Sequence, residues 1–353
     1  MPAREPQYGP EDGVELPIPE PPKPGERLTG DEPSAAARRS TDEPTAADTT
    51  DLRSPGAPES GTRSGFVALA GRPNVGKSTL VNAIVGRKVA IVSDKPQTTR
   101  RAIRGVCTGP DYQLVLVDLP GVQRPRDLLT ERMQGRVETE LRECDAALFV
   151  VNLEEGIGPG DRWIAEALRK ANVPVIIVAN KVDRLNKSKL ITALNETNEL
   201  GLDAEVFPIS ARYGDQVDAL VDHVSALLPE GPFYFDTRDS SDQRLEVHLA
   251  ELVREQVLRR TFQEVPHSVE VEVTDIERRD DELLIVSAAI WVETDSQQGI
   301  LIGKGGDMVK RIGRAARKEI ELEMDEHIHL DLTVRVRKNW RREDRLLDRL
   351  GIE

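Results

Sequence analysis

Gly71-Arg-Pro-Asn-Val-Gly-Lys-Ser78 constrains this chain more than any other stretch. It has the form G-x-x-x-x-G-K-[ST], a glycine-rich turn whose main-chain N–H groups surround a phosphate chain. Such a turn works only between a buried strand and a helix. Phe66 to Ala70 is an apolar run suited to the strand, and Thr79 to Val85 reads as a helix ending at Gly86. Gly71 and Gly76 allow a backbone approach that a Cβ would obstruct. Arg72, Pro73, Asn74 and Val75 complete the wall of the loop, and Thr79 continues it into the helix. Lys77 is expected against the terminal phosphates, with the Ser78 hydroxyl facing a Mg²⁺ ion.

A chain of 353 residues has room for two compact domains. The formal charge of −14 argues against a protein that coats nucleic acid over its whole surface, while leaving room for a local basic site. Cys107 and Cys144, the only cysteines, show no metal-ligand spacing and read as reduced, buried thiols. No apolar run reaches membrane-spanning length, and Met1-Pro-Ala-Arg-Glu-Pro lacks the apolar core of a secretory signal. A cytoplasmic, monomeric protein is expected.

Composition divides the chain. Residues 1–63 are rich in Pro, Glu, Asp, Ser, Thr and Ala, and are read as a disordered acidic tail. Residues 64–230 alternate apolar strands with amphipathic helices, the pattern of a three-layer α/β domain with a mostly parallel sheet. Leu228-Pro-Glu-Gly-Pro232 breaks the chain, and 231–242 is read as a linker. Residues 243–353 change to the order helix, strand, strand, helix, helix, strand, a small α+β module with a basic C-terminal helix. There Val269, Val271 and Val273 alternate with Glu270, Glu272 and Thr274, which predicts one buried and one solvated face. Leu330, Leu332, Val334 and Val336 alternate in the same way.

The later motifs specify the nucleotide. Asp118-Leu-Pro-Gly121 ends a strand; Asp118 is placed to hold Mg²⁺, and the Gly121 N–H to reach the γ-phosphate, with Leu119 and Pro120 completing the turn. Asn180-Lys-Val-Asp183 follows an apolar strand. The Asp183 carboxylate can accept from N1–H and the 2-amino group of guanine, a pair that adenine lacks. Asn180 is expected to tie this loop to the phosphate loop and Lys181 to lie along the base. Ser210-Ala-Arg212 can supply a main-chain N–H to guanine O6 through Ser210 and Ala211. In Gln97-Thr-Thr-Arg100, Thr99 is the candidate that closes on Mg²⁺ and the γ-phosphate, with Thr98 the alternative. Lys77, Thr99 and Gly121 are the candidate catalytic groups, and Ser78, Thr99 and Asp118 the candidate metal ligands. Val122 stands where many GTPases carry a glutamine that orients the attacking water, and a valine cannot do that.

A second glycine loop lies at Ile302-Gly303-Lys304-Gly305-Gly306. It contains G-x-x-G between two predicted helices, the form that clamps single-stranded nucleic acid in KH domains. The following helix carries Val309, Ile312, Ala316 and Ile320 inward and Lys310, Arg311, Arg314, Arg317 and Lys318 outward. Trp340, in the basic stretch Lys338 to Arg345, is free to stack on a base or to pack. His327 and His329 have no third ligand nearby and are not read as a metal site.

From Gly65 to the C-terminus these motifs resemble the Era family of ribosome-assembly GTPases, a P-loop GTPase domain followed by a type II KH domain. The family usually has threonine where this chain has Leu119, a position not expected to touch nucleotide directly. With Val122 in place of a water-orienting glutamine, slow GTP hydrolysis to GDP is expected, as for unassisted GTPases; the resemblance implies binding to small-subunit (16S) ribosomal RNA and a role in 30S subunit assembly. It also implies Mg²⁺. Related GTPases with an asparagine at the Asn74 position use K⁺ in place of an arginine finger; the alternative is that Asn74 only holds the loop. Two other readings remain: a GTP-sensing RNA-binding protein with incidental hydrolysis, and a cell-cycle GTPase peripheral to the membrane.

Overall fold

The apolar run before the phosphate loop becomes the centre of a sheet. In the computed structural model, residues 61–95, 98–121, 128–262, 264–279, 283–350 and 352 are described, and they fall within one compact unit, Ser54–Glu353. Strand β1 (Arg63–Ala70) lies between β3 (Tyr112–Asp118) and β4 (Ala146–Asn152), parallel to both. Strands β5 (Val175–Asn180) and β6 (Val206–Ile209) extend the parallel array. Strand β2 (Ile103–Thr108) closes the other edge antiparallel to β3, giving the order β2-β3-β1-β4-β5-β6.

Both faces are covered, which is why these strands read as unbroken apolar runs. Val67 and Leu69 of β1 point to the face packed by α1 (Lys77–Val85) and α5 (Val217–Leu227), through Leu80, Ile84 and Leu220. Ala68 and Ala70 point to the opposite face, packed by α2 (Leu128–Glu143), α3 (Pro159–Ala171) and α4 (Lys187–Thr197), through Leu141, Ile164 and Ala193. The three layers expected from the sequence are present. Cys144 is buried in the second cluster, and burial pushes its thiol up to about 12.

The C-terminal module begins with α6 (Leu245–Arg260) and a short turn of helix, α7 (Val265–Ser268). Strands β7 (Glu270–Arg278) and β8 (Leu284–Val292) pair antiparallel, and β9 (Ile328–Val336) pairs parallel to β8. Helices α8 (Asp295–Ile302) and α9 (Asp307–Met324) connect β8 to β9, and α10 (Asp344–Arg349) is the last helix among the described residues. This is the type II KH order. Its core joins Leu249, Leu252 and Val257 of α6 to Val286 and Ile290 of β8 and Ile312 and Ile320 of α9.

Several expectations are corrected. Arg63 is not part of a tail: it opens β1, donates to the Leu228 carbonyl at 2.6 Å and bridges to Glu230. The tail reading for residues 1–60 lies outside the described residues, as do Gln97 and Val122. The 231–242 segment, read as a linker, is anchored by hydrogen bonds. Gln113 donates to the Phe235 carbonyl and accepts from the Tyr234 and Phe235 N–H groups at 2.7–3.0 Å, and the Val106 N–H donates to the Ser240 carbonyl. The linker is strapped along the sheet edge. In β7, Glu270 is not solvated but fully buried, because Arg100 and Arg101 of the GTPase domain meet it in place of water. A register shift between Val273 and Asp275 moves the remaining alternation out of step. Trp340 packs: it is fully buried, donates to the Ser268 carbonyl at 2.9 Å, and joins a cluster with Leu129 and Met133 of α2. Helix α10 lies on the same cluster, with Asp344 and Asp348 paired to Arg132 at 2.6 and 2.7 Å, so it serves as a docking element more than a basic face.

Candidate nucleotide site and nucleic-acid interface

The loops that leave the carboxyl ends of β1, β3, β5 and β6 gather at one edge of the sheet, the usual ligand position in open α/β folds. There a cleft of about 310 Å³ is lined by Asn74, Lys77, Ser78, Thr99, Gly121 and Lys181, with Thr98 and residues 91–94 on its rim. Helix α1 starts at its floor, so the first helical N–H groups face the cleft without intrahelical partners. Lys77 is buried, and its ammonium donates to the Gly71 and Arg72 carbonyls at 3.3 Å. Burial pushes its pKa down, against the opposing pull of Asp118. A polyphosphate beside it would favour the charged form. Arg72 turns away: its guanidinium pairs with Asp161 of α3 at 2.8 Å and with Glu155 at 3.2 Å, so only its main chain faces the cleft loop.

Three oxygen-bearing side chains meet beneath the cleft. Ser78 Oγ donates to Asp118 Oδ2 at 2.6 Å, and Thr99 Oγ1 lies 3.1 Å from Ser78 Oγ and 3.2 Å from Asp118 Oδ2. Asp118 is fully buried and its Oδ1 has no protein partner. Burial pushes its carboxyl up, while Lys77 and the two hydroxyls pull it down. Hard oxygen donors around an unpartnered carboxylate oxygen suit Mg²⁺. Thr98 Oγ1 points elsewhere, donating to the Lys95 carbonyl at 2.7 Å. Asn74 Nδ2 donates to the Asp94 carbonyl at 2.7 Å, linking the phosphate loop to the segment that carries Thr99.

The base side is built around Asn180. Its Nδ2 donates to the Val75 carbonyl at 2.8 Å and its Oδ1 accepts from the Ala211 N–H at 3.0 Å. Lys181 takes a left-handed backbone conformation (φ 71°) to leave the strand. Ser210 Oγ donates to Asp183 Oδ1 at 2.7 Å, which fixes that carboxylate beside the Ser210–Ala211 turn. Leu119 is fully buried and Pro120 is buried with it; they hold the turn without facing the cleft.

In the C-terminal module, Gly303 (φ 71°) lets the loop pass α9: a Cβ there would lie 2.9 Å from the Met308 N atom. Lys304 and Gly305 are exposed at its tip, and Ile302 is half-exposed beside them. Lys310, Arg311, Arg314, Arg317 and Lys318 are exposed along α9 as the sequence predicts. Beside them runs a groove of about 260 Å³, lined by Val309, Lys310, Gly313, Arg314, Leu330 and Leu332. Arg311 pairs with Asp307 at 2.7 Å instead. Leu330 and Leu332 were legible as an apolar face of β9, but they are only half-buried and form the groove wall.

Comparison with known proteins agrees with both halves. A family model described as a 50S ribosome-binding GTPase matches residues 66–181, and one described as a KH domain matches residues 264–341. GTPase Era of Mycobacterium bovis (strain BCG / Pasteur 1173P2) is 46% identical over 294 residues, covering 82% of this chain and 98% of its own length. The chain belongs to the Era family of GTPases. GTPase Era of Mycolicibacterium smegmatis is 44% identical over the same share. Two solved Era structures superpose with a TM-score of 0.80 at 35% identity, each covering 82% of this chain and 99% of the other. One is a variant of Aquifex aeolicus Era bound to GDP·AlF4⁻. The other is Era with MgGDPNP and nucleotides 1506–1542 of 16S ribosomal RNA.

Sequence reasoning missed the residues that reach the site from the other domain: Arg254, Glu251 and Glu270 sit behind Thr98 and Arg100. Only charged residues at inward positions of α6 signalled them, and such positions read as solvated until the partner domain is in place.

Gly76 is the tightest point of the GTPase site. Its φ is 107°, and a Cβ would stand 2.2 Å from Asn180 Nδ2. Gly76→Ala should therefore push Asn180 off the loop and weaken GDP and GTP by about 100-fold, near 2.7 kcal/mol. Titration with a fluorescent guanine nucleotide checks this, with circular dichroism confirming that the fold survives.

Proposed function

We propose that this GTPase is an RNA-handling switch: it binds the 3′ region of small-subunit ribosomal RNA as a single strand through the KH module and assists 30S subunit assembly. One observation carries the reading. A phosphate cleft and a G-x-x-G loop backed by an exposed basic helix belong to the same compact unit. The solved relative with 16S ribosomal RNA supports the choice of RNA over other anions.

In this reading Ser78, Thr99 and Asp118 would hold Mg²⁺, which neutralises phosphate charge when bound. Main-chain N–H groups of residues 71–79 cradle the phosphates, and Lys77 meets the terminal ones. The Gly121 N–H orients the γ-phosphate. Asp183 accepts from the guanine N1–H and 2-amino groups, while the Ala211 region faces O6. With no side chain assigned to orient water, rate acceleration rests on positioning and fixed dipoles, and turnover on the order of 10⁻⁴ to 10⁻² s⁻¹ is expected for the unassisted enzyme. We place the protein in the cytoplasm as a monomer; among the described residues no helix is long and apolar enough to cross a membrane.

A KH loop grips single strands by letting the nucleic-acid backbone approach glycines, with about four nucleotides read. The groove beside α9, walled by Leu330 and Leu332 and edged by Lys310 and Arg314, is suited to bases on its floor and phosphates at its rim. Replacing Lys304 and Gly305 together with Asp should lower affinity for the 16S 3′-end RNA by at least about 10-fold in fluorescence anisotropy while GTP affinity holds. Undiminished RNA binding would remove the KH loop from the interface.

Asp183→Asn should move preference from GTP toward xanthosine triphosphate, because the amide can donate where guanine needs an acceptor; competition binding reads the shift, and unchanged GTP affinity would refute the base-site assignment. The Asn74 Nδ2 bond to the Asp94 carbonyl fits the loop-holding role, and a K⁺ ion at the phosphate loop would use the Asn74 Oδ1 oxygen instead. Single-turnover hydrolysis should then run faster in KCl than in NaCl, and equal rates would leave Asn74 with the loop-holding role alone.

A further inference from the structure

The segment carrying Thr99 is held from outside its own domain. On either side of Thr99, the Thr98 carbonyl and the Arg100 side chain reach the KH module. The Thr98 carbonyl accepts from Arg254 Nη2 of α6. The Arg100 guanidinium is fully buried, donates to the Val269 carbonyl at 2.5 Å and pairs with Glu270 at 2.7 Å. It also donates to the Pro266 and His267 carbonyls at 3.3 and 3.1 Å and stands 5.6 Å over the Trp340 ring. Arg101 closes the set, with Glu251 at 2.5 Å and Glu270 at 3.2 Å. Upstream, the Val92 N–H donates to Glu255 at 3.0 Å. Thr99 is left facing the cleft, where its hydroxyl meets Ser78 and Asp118.

We propose that Arg254 of the KH module is a positioning residue for GTP hydrolysis: with Arg100 and the buried carboxylates of Glu251 and Glu270 it clamps the 98–101 segment so that the Thr99 hydroxyl stays at Asp118. The proposal rests on the reading of Thr99 as the switch ligand. The chemistry of the clamp is specific. A buried ion cluster contributes little net stability against an apolar replacement, but it admits few geometries and fails when one partner is removed. Burial by itself would raise the Glu270 carboxyl; Arg101, Arg254 and Arg100 outweigh it and hold it well below the usual carboxylate range. A bidentate guanidinium is suited to hold a carbonyl and a carboxylate at once; Arg254 Nη2 serves both the Thr98 carbonyl and Glu251. The GTPase site is thus completed by a residue of the other domain, and whatever shifts the KH module shifts Thr99.

The test uses the full chain. Arg254→Met keeps the volume and removes the donors; Arg254→Lys restores one. Single-turnover GTP hydrolysis in Arg254→Met is expected to fall by about 10- to 100-fold with GDP affinity within about twofold of wild type, since the phosphate loop and base site are untouched. Amide hydrogen exchange at residues 98–101, measured with GDP bound, is expected to quicken by a similar factor. Arg254→Lys is expected to recover part of both. Wild-type hydrolysis in Arg254→Met overturns the proposal whatever the exchange, as does lost hydrolysis without faster exchange. If Arg254→Met does not fold, Glu251→Gln, which weakens the grip on Arg254 without changing shape, replaces it with the same criteria. A Thr99→Ala chain that binds GTP and hydrolyses it at the wild-type rate would instead refute the reading on which the clamp rests, so the two failures are separable.

Discussion

The carboxamide of Asn180 is the joint on which the nucleotide site hangs. It is almost fully buried, gives its N–H to the Val75 carbonyl and takes the Ala211 N–H, so the phosphate loop, the base loop and the turn after β6 share one side chain. Each of those main-chain groups would otherwise be buried unpaired, at about 1–3 kcal/mol apiece. The parallel sheet makes the joint feasible, because it delivers the ends of β1, β5 and β6 to one edge in fixed register. Gly76 leaves room for the amide. Asp183 and Ser210, bonded to each other, depend on the same placement.

A second joint holds the two halves together, and its chemistry is different. The seam pairs a dry apolar cluster, in which Leu129 and Met133 meet Trp340 and Leu347, with a buried ionic one around Glu270. The apolar part stabilises docking without much regard to geometry. The ionic part selects one docked arrangement, since guanidinium and carboxylate must meet within hydrogen-bond range or remain unpaired. Helix α6 is buried from Leu249 to Leu258 on every side for this reason, although its sequence carries Glu251, Arg254 and Glu255. A helix so charged would be read as solvated wherever the second domain was not considered.

Legibility in the sequence followed the length scale of the interaction. The phosphate loop, Asp118 to Gly121, Asn180 to Asp183 and the G-x-x-G loop were readable because each is a contiguous stretch whose residue types dictate its local backbone. Strand positions were readable because both faces of the GTPase sheet are covered, leaving apolar runs with little ambiguity. Glu270 was misplaced because a period of two states only that alternate residues face opposite ways; whether the second face meets water or Arg100 depends on a residue far away in the chain. Trp340 stood undecided between stacking and packing for the same reason, and the anchoring of the 231–242 linker was not legible because its partners, Gln113 and Val106, belong to other elements.

The sequence by itself determined that this chain binds a guanine nucleotide on a P-loop sheet and carries a KH module, since those features are written in short, ordered stretches whose chemistry does not wait for the fold. Tertiary structure alone decided which of two adjacent threonines meets Asp118, that Glu270 and Arg254 are buried together, and that Trp340 is a wedge between domains. The register of a loop is set by what grips it, and here the grip comes from residues more than 150 positions distant: Arg254 lies 156 residues from Thr98, and the Arg100 to Glu270 pair spans 170.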